Sequence, residues 1–468
     1  MMWLPDKLRK LKNVLRYIHN DLPQQLIRLS DMAERLDSQL KEQDSQLKEQ
    51  TARLSGLTAR IDKIEGALSV MDYYNPELNT LLGTRKGLQV LVVGFYGGYN
   101  FGDEMMLQVI LEILARRKDI HVTVMLSENA VYYNSSIHGN IDIIHYCRTY
   151  GDFSHLSSYF DALIVGGGAL LDDKTYRQDY RHFLNLSAIV CELPAYFKAK
   201  NKPAVCLGLS TNERLTDPAY ISALSRTIDG SYYFSLRDPY SYDVLRSAGI
   251  HVDKVEIIED MLLAHPFWMD LPADICSRNE GTSVAITWYS EDSLKDMLAE
   301  IIKLLVQQDP SVRISLIPVY DFLSADTTYY RQVAGLLPDE AAKCVHIEPY
   351  QTTMEQIVNC FSRCSMAINV RYHAAMVCGC LGIPQIAVVW KDHPHYPNKM
   401  RWISDAFPGV YLMGTENTAE DIAKTAGKHL GDPRGALIDP ARVKRNAEKI
   451  SGIIERFIPP ETAGEADI

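Results

Sequence analysis

Arginine, tyrosine and histidine stand together at positions 371, 372 and 373, inside the stretch SMAINVRYHAAMVCGCLGIPQIAVVW that runs over 365–390. The run before them, 366–370, is short and apolar in the manner of a buried strand. Residues 374–380 are small and apolar and meet Gly382 and Pro384, as a helix does at its end, and 385–390 reads as another buried strand. The unit is strand, tight turn, helix, strand. In a parallel α/β sheet such a turn lies at the carboxyl end of the strands, where ligands bind, and the helix that begins there directs N–H groups and partial positive charge outward. Arg371 adds a planar fork matched to carboxylate or phosphate, and His373 a group that titrates near neutrality. Two readings are open: an anion site with an acid–base group beside it, or an arginine paired structurally with a carboxylate and a histidine that merely begins a helix.

The rest of the chain bounds those readings. At 468 residues it has room for two to four domains, and 47% hydrophobic residues supply ample core. Net charge is −11, from 48 Lys and Arg against 59 Asp and Glu, which disfavours nucleic acid as a partner. Nine scattered cysteines fit a reducing compartment rather than a disulfide framework. Cys360, Cys364, Cys378 and Cys380 have ligand-like spacing but lie among apolar neighbours in expected helices, so they read as small buried hydrophobes and no metal site is expected. No uncharged apolar run of 18 residues occurs and the N-terminal residues lack a signal-peptide pattern, so a cytoplasmic protein is expected.

In chain order, residues 1–22 form a basic amphipathic segment. Lys7, Arg9, Lys10, Lys12 and Arg16 stand against Asp6, and Trp3, Leu4, Leu8, Leu11, Leu15 and Ile18 can share a face. Residues 1–20 therefore suit either peripheral contact with an anionic membrane, on its inner face, or the start of an oligomeric stalk. Residues 23–71 carry heptads: Leu26, Ala33, Leu40, Leu47, Leu54, Ile61 and Leu68 fall seven apart, with DSQLKEQ repeated in tandem at 37–43 and 44–50. That period predicts a coiled coil and self-association through 26–68 as a parallel homo-oligomer, with Gln43 and Gln50 in the seam fixing register. Residues 72–86 read as a linker.

From 87 the pattern alternates between strand and helix. The turn GFYGGYNFGDE, with Gly97, Gly98, Asn100, Asp103 and Glu104, links a strand at 88–94 to a helix expected at 103–117. Its glycine spacing is not that of a dinucleotide site, and it lacks the GK[ST] of a phosphate loop. Asn100, Asp103 and Glu104 cannot all cap one helix, which leaves one or two to meet a ligand hydroxyl. A strand at 162–165 is expected to end in Gly166, Gly167 and Gly168, either for close approach of a ligand or for a tight turn. A strand at 232–236 leads into Arg237 and Asp238, and one at 255–258 into Glu259 and Asp260. Two doubly wound Rossmann-like domains are expected, at 87–268 and 282–458, with a frayed tail at 459–468. Two such domains facing one another resemble the glycosyltransferase-B architecture, with a ligand cleft between them.

Five segments taken in order resemble the polysaccharide pyruvyltransferase family: GFYGGYNFGDE at 94–104, DALIVGGG at 161–168, SLRDPYSYDVLRSAGI at 235–250, EIIEDMLL at 256–263 and VRYHAAMVCGCLGIP at 370–384. The likeness covers about 86–405 and excludes the heptads. Where the family often has a GxGxGP strand end, this chain has Gly208, Leu209 and Ser210. The resemblance implies transfer of a pyruvyl group from phosphoenolpyruvate, as donor substrate and without a further cofactor, to hydroxyls of a free or lipid-linked sugar or glycan acceptor, closing a pyruvate ketal. It implies Arg237 and Arg371 as anchors for the two donor anions, one from each domain, and His373 as the acid. Asp103 or Glu104 is the expected base, Asn100 orients the acceptor, and Gly97, Gly98, Gly167, Gly168 and Asp260 are expected around the substrates. Lys399 is a further candidate phosphate contact, set against a lysine that is simply solvated. A nucleotide-sugar glycosyltransferase, or a non-catalytic coiled-coil scaffold, would share the architecture.

Overall fold

A computed structural model describes residues 9–13, 15, 87–126, 141–145, 150–174, 176, 186–211, 214–272, 275, 281–389, 396–414 and 416–458. The heptad segment, the linker and the tail lie outside these residues, as does most of the basic segment, of which 9–13 and 15 are helical and exposed.

The first lobe runs β1 Leu88–Val93, α1 Phe101–Leu114, β2 Ile120–Leu126, β3 Ile141–His145, α2 Tyr150–Tyr159, β4 Ala162–Leu171, α3 Leu186–Ala199, β5 Ala204–Thr211, α4 Pro218–Gly230, β6 Tyr233–Leu236, α5 Pro239–Ser247 and β7 Val255–Ile257. The second runs β8 Ser283–Thr287, α6 Lys295–Gln308, β9 Arg313–Leu316, α7 Ala325–Ala334, α8 Asp339–Ala342, β10 Val345–Ile347, α9 Met354–Ser362, β11 Met366–Asn369, α10 Tyr372–Cys380, β12 Gln385–Val389, α11 Tyr396–Ala406, β13 Val410–Gly414, α12 Ala419–His429 and α13 Pro440–Phe457. The sheets have the orders β3-β2-β1-β4-β5-β6-β7 and β10-β9-β8-β11-β12-β13, and every pairing is parallel. In each, the order reverses beside the first strand, at β1/β4 and at β8/β11. The carboxyl ends of strands at such a reversal open a crevice for ligands.

Three local expectations are corrected. The helix after the glycine-rich turn begins at Phe101, two residues early, and ends at Leu114; Arg116 and Arg117 lie beyond it, and Arg117 ion-pairs with Asp119 at 2.5 Å. Strand β4 does not end in its glycines but passes through them to Leu171, with positive φ at Gly167 and Gly168 and a register shift against β5 beyond Gly168. Close packing explains why: a side chain at Gly167 would meet Met106, and one at Gly168 would lie 2.4 Å from the Asp103 carboxylate. The third concerns the ends of the chain's two lobes. Helix α13 follows the second lobe in sequence, yet Ile450, Ile453, Ile454 and Ile458 join the core of the first with Val90, Val92 and Ile110.

The lobes share a core as well. Beyond His373, helix α10 is apolar on every side and buried, so it must be enclosed. It packs in one cluster with Phe101 and Met105 of α1 and with Leu262, Leu263 and Trp268 of the connecting segment. Because Arg371 caps α10 and α1 begins at Phe101, two residues before Asp103, this enclosure brings the two chemistry-bearing turns face to face.

Candidate active site

Arg237 leaves the end of β6 almost fully buried, and burying a guanidinium requires a partner. Its NH1 donates to Asp260 Oδ2 at 2.8 Å and its Nε to Ser210 Oγ at 3.0 Å. Asp260 in turn caps the short helix at Met261–Ala264 through Leu262 N, and Arg237 holds its carboxyl far below the ordinary range against the opposing effect of burial. The same NH1 lies 3.1 Å from His373 Nε2, across the boundary between the lobes, and the guanidinium stacks 4.9 Å from the Tyr372 ring.

His373 occupies the first turn of α10 with its ring flat against Gly102 of α1: a Cβ on Gly102 would stand 1.7 Å from Nδ1. Burial lowers the imidazole pKa, and the neighbouring Asp260, 3.5 Å from Nε2, opposes the fall. An Arg237 N–H can donate to Nε2 only while that nitrogen carries no proton, so the contact favours the neutral ring.

Arg371 stands at the N-cap of α10. Its NH2 donates to Asp326 Oδ1 at 2.6 Å, and its guanidinium lies 4.5 Å from the Tyr289 ring and 5.5 Å from that of Tyr320. Both arginines, with His373, Lys399, Asn100 and Asp103, line one cavity of about 490 Å³ at the carboxyl ends of the strands. That size lies within the range of small-molecule sites.

The two candidate carboxylates separate. Asp103 faces the cavity, and burial raises its pKa to about 8 against the lowering effect of Arg237. Glu104 does not line the cavity but accepts from Gly97 N at 2.7 Å; burial raises it to about 7, opposed by the Gly97 and Gly98 amides. Gly97 and Gly98 are thus held by Glu104 rather than placed on the cavity wall. Gly167, Gly168 and Asp260 likewise stand behind the lining residues. Lys399, set against a solvated lysine in the sequence, is buried on the cavity wall, and burial followed by the charge of Arg237 lowers it to about 7. Asn100 lines the cavity at the N-cap of α1 without a side-chain capping bond.

Sequence reasoning named Tyr372 without giving it a role, and it missed Tyr289, Tyr320 and Asp326. The two tyrosines follow the carboxyl ends of β8 and β9, the same placement that singles out Arg237 and Arg371, so that rule would have found them. Nothing local marks Asp326, which is buried within α7. Cys360, Cys364, Cys378 and Cys380 are buried, with their thiols pushed up by burial, Cys364 to about 11 and Cys360 to about 12.

Two parallel, doubly wound lobes about a charged cleft define a glycosyltransferase-B-like protein. Residues 100–393 match the profile of the family described as polysaccharide pyruvyl transferase. The chain belongs to that family and is a transferase of polysaccharide pyruvylation. No curated protein matches it. Among solved structures it is similar to a UDP-GlcNAc 2-epimerase from Methanocaldococcus jannaschii, at 12% identity and TM-score 0.53 over 79% of this chain and 99% of that one. A putative UDP-N-acetylglucosamine 2-epimerase from Listeria monocytogenes aligns at 10% identity and TM-score 0.52 over 82% and 100%. The UDP-GlcNAc 2-epimerase from Neisseria meningitidis aligns at 12% and 0.50 over 79% and 100%. At these identities the likeness is one of fold. Among the described residues no helix is long and apolar enough to cross a membrane.

Proposed function

We propose that the protein transfers the pyruvyl group of phosphoenolpyruvate to two hydroxyls of a sugar in a cell-surface polysaccharide or its lipid-linked precursor, closing a pyruvate ketal. The observation that carries this reading is the convergence of Arg237 from one lobe with Arg371 and His373 from the other on a single cavity. The donor bears a carboxylate and a phosphate side by side, and two guanidinium groups from opposite walls suit two anions. Lys399, half charged near neutrality, supplies a third cation once an anion lies beside it.

The neutral ring of His373 becomes an acid through donor binding. When an anion draws Arg237 NH1 away, Nε2 is released from an N–H donor and stands beside Asp260, and the added negative charge favours its proton. That proton passes to the methylene carbon and leaves the adjoining carbon electron-poor. One sugar hydroxyl adds there, giving its proton to ionised Asp103; a second hydroxyl then displaces phosphate by cleavage of the carbon–oxygen bond. Asp103 then gives up the first hydroxyl's proton through solvent and His373 regains the one it lost to the new methyl group, while the second hydroxyl's proton departs with phosphate, so donor plus two hydroxyls balance against ketal plus phosphate. Asp103 suits the base role because its raised pKa is close to working pH.

The test is phosphate release from phosphoenolpyruvate in the presence of cell-derived glycan acceptors, with calorimetry against phosphoenolpyruvate and against uridine nucleotides. Acceptor-dependent release that His373→Ala abolishes supports the reading. Nucleotide binding without any response to phosphoenolpyruvate, or unchanged release in His373→Ala, overturns it.

A further inference from the structure

We propose that Asp326 is a positioning residue for the donor-binding arm, tying the aim of Arg371 to the backbone seam between the lobes; the inference rests on the donor reading above. Its carboxylate is completely buried and divided between two duties. Oδ1 accepts from Arg371 NH2 at 2.6 Å and from Ser290 Oγ at 2.5 Å. Oδ2 accepts from the backbone N–H groups of Val319 at 3.1 Å and Tyr320 at 2.9 Å.

The segment gripped by Oδ2 is the one that meets the first lobe. Phe101 N donates to Val319 O at 2.9 Å, Asp321 N donates to Tyr99 O at 3.0 Å, and Asn100 and Tyr320 form an antiparallel bridge. Tyr99 adopts a positive φ of 51° to make this turn, an unfavourable conformation for a tyrosine that persists because surrounding contacts enforce it. The glycine-rich turn therefore acts as one edge of the seam and leads directly into Gly102 and Asp103. Tyr320 also supplies one of the two rings beside the Arg371 guanidinium, the other being Tyr289. A single carboxylate thus fixes the edge of the fork and the backbone of one ring beside it, while the register against the α1 turn is held by the Phe101–Val319 and Asp321–Tyr99 backbone hydrogen bonds.

The chemistry explains why an acid is needed on both sides. All four groups facing Asp326 donate, so an asparagine amide would present N–H groups to donors whichever way it turned. The guanidinium would lose its anchor and the anion arm its aim, while the sugar-facing wall formed by the first lobe would be left as it is.

Initial rates of phosphate release with phosphoenolpyruvate varied at fixed glycan, and the converse, test this in the full chain. Asp326→Asn is expected to raise KM for phosphoenolpyruvate tenfold or more with KM for the glycan within twofold. Ser290→Ala removes only a hydroxyl partner and keeps the charge; it is the variant to read should Asp326→Asn not fold, and a two- to threefold rise in donor KM alone is expected. A wild-type donor KM in folded Asp326→Asn, or in Ser290→Ala where Asp326→Asn does not fold, overturns the proposal. Equal losses against both substrates also overturn it, since they mark a merely structural residue. A wild-type protein that neither binds nor consumes phosphoenolpyruvate is the separate failure of the donor reading.

Discussion

Replacing Asp103 with asparagine should make the protein slower and more stable at once. Asp103 is an acid placed where its ionised form is disfavoured: burial outweighs the attraction of Arg237 and Lys399 and lifts its pKa from 3.8 to about 8. Below pH 3.8 both folded and unfolded chains hold the proton, and the residue has no net effect. Between 3.8 and 8 the unfolded chain releases the proton into water while the folded one retains it, so stability falls as pH rises, and above 8 the loss is constant. At about 1.36 kcal/mol per tenfold, the full loss is about 6 kcal/mol. If relaxation around the amide halves that figure, Asp103→Asn should still melt roughly 3–4 °C above wild type at pH 8.5. The gap should shrink steadily toward pH 4. Thermal melts of both proteins at pH 4, 5.5, 7 and 8.5 measure it, and phosphate release measures the other side. The wild-type rate should climb with pH through about 8, and the climb should vanish in the variant along with at least a hundredfold of rate. A stability gap that does not change with pH, or an Asp103→Asn protein less stable than wild type at pH 8.5, would refute the argument from burial.

Further outcomes follow from the same contacts. Gly102→Ala introduces a Cβ 1.7 Å from His373 Nδ1 in a helix that tolerates alanine, so it should leave the melting temperature within a few degrees yet cut phosphate release at least a hundredfold; a wild-type rate would show that the position of the ring has no consequence. Glu104→Gln keeps an oxygen for Gly97 N and should cost less than tenfold in rate, and a larger loss than that of Asp103→Asn would exchange the roles of the two carboxylates. Asp260→Asn leaves Arg237 as an uncompensated buried charge and should destabilise by about 3–5 kcal/mol at pH 7 in denaturant melts. Because the Asp260 pKa is depressed, its contribution is complete above the ordinary carboxylate pKa of 3.8 and fades as pH falls from there through the far lower folded value, so the gap should begin to narrow below pH 3.8 and still be open at pH 3.

What the sequence determined by itself was what depends on near neighbours. Alternating apolar strands and amphipathic helices over 87–458 specify two doubly wound lobes, because periods of 2 and 3.6 residues are set within a turn or two of chain. Placing Arg237, Arg371 and His373 required only the rule that residues following strand ends reach the crevice. Even there the local view erred at the β4 glycines: their lack of side chains was read as an ending, when it serves Met106 and the Asp103 carboxylate approaching from α1. The tertiary structure alone decided which charges meet. Arg237 and His373 are 136 residues apart in sequence, and their 3.1 Å contact exists because α10, apolar beyond His373, is packed against the other lobe. The same enclosure buries Lys399, turns Asp103 toward the cavity and Glu104 toward the Gly97 amide, and lets α13 return to the first lobe. Burial and charge pairing depend on what lies across the gap, and no stretch of sequence contains its own surroundings.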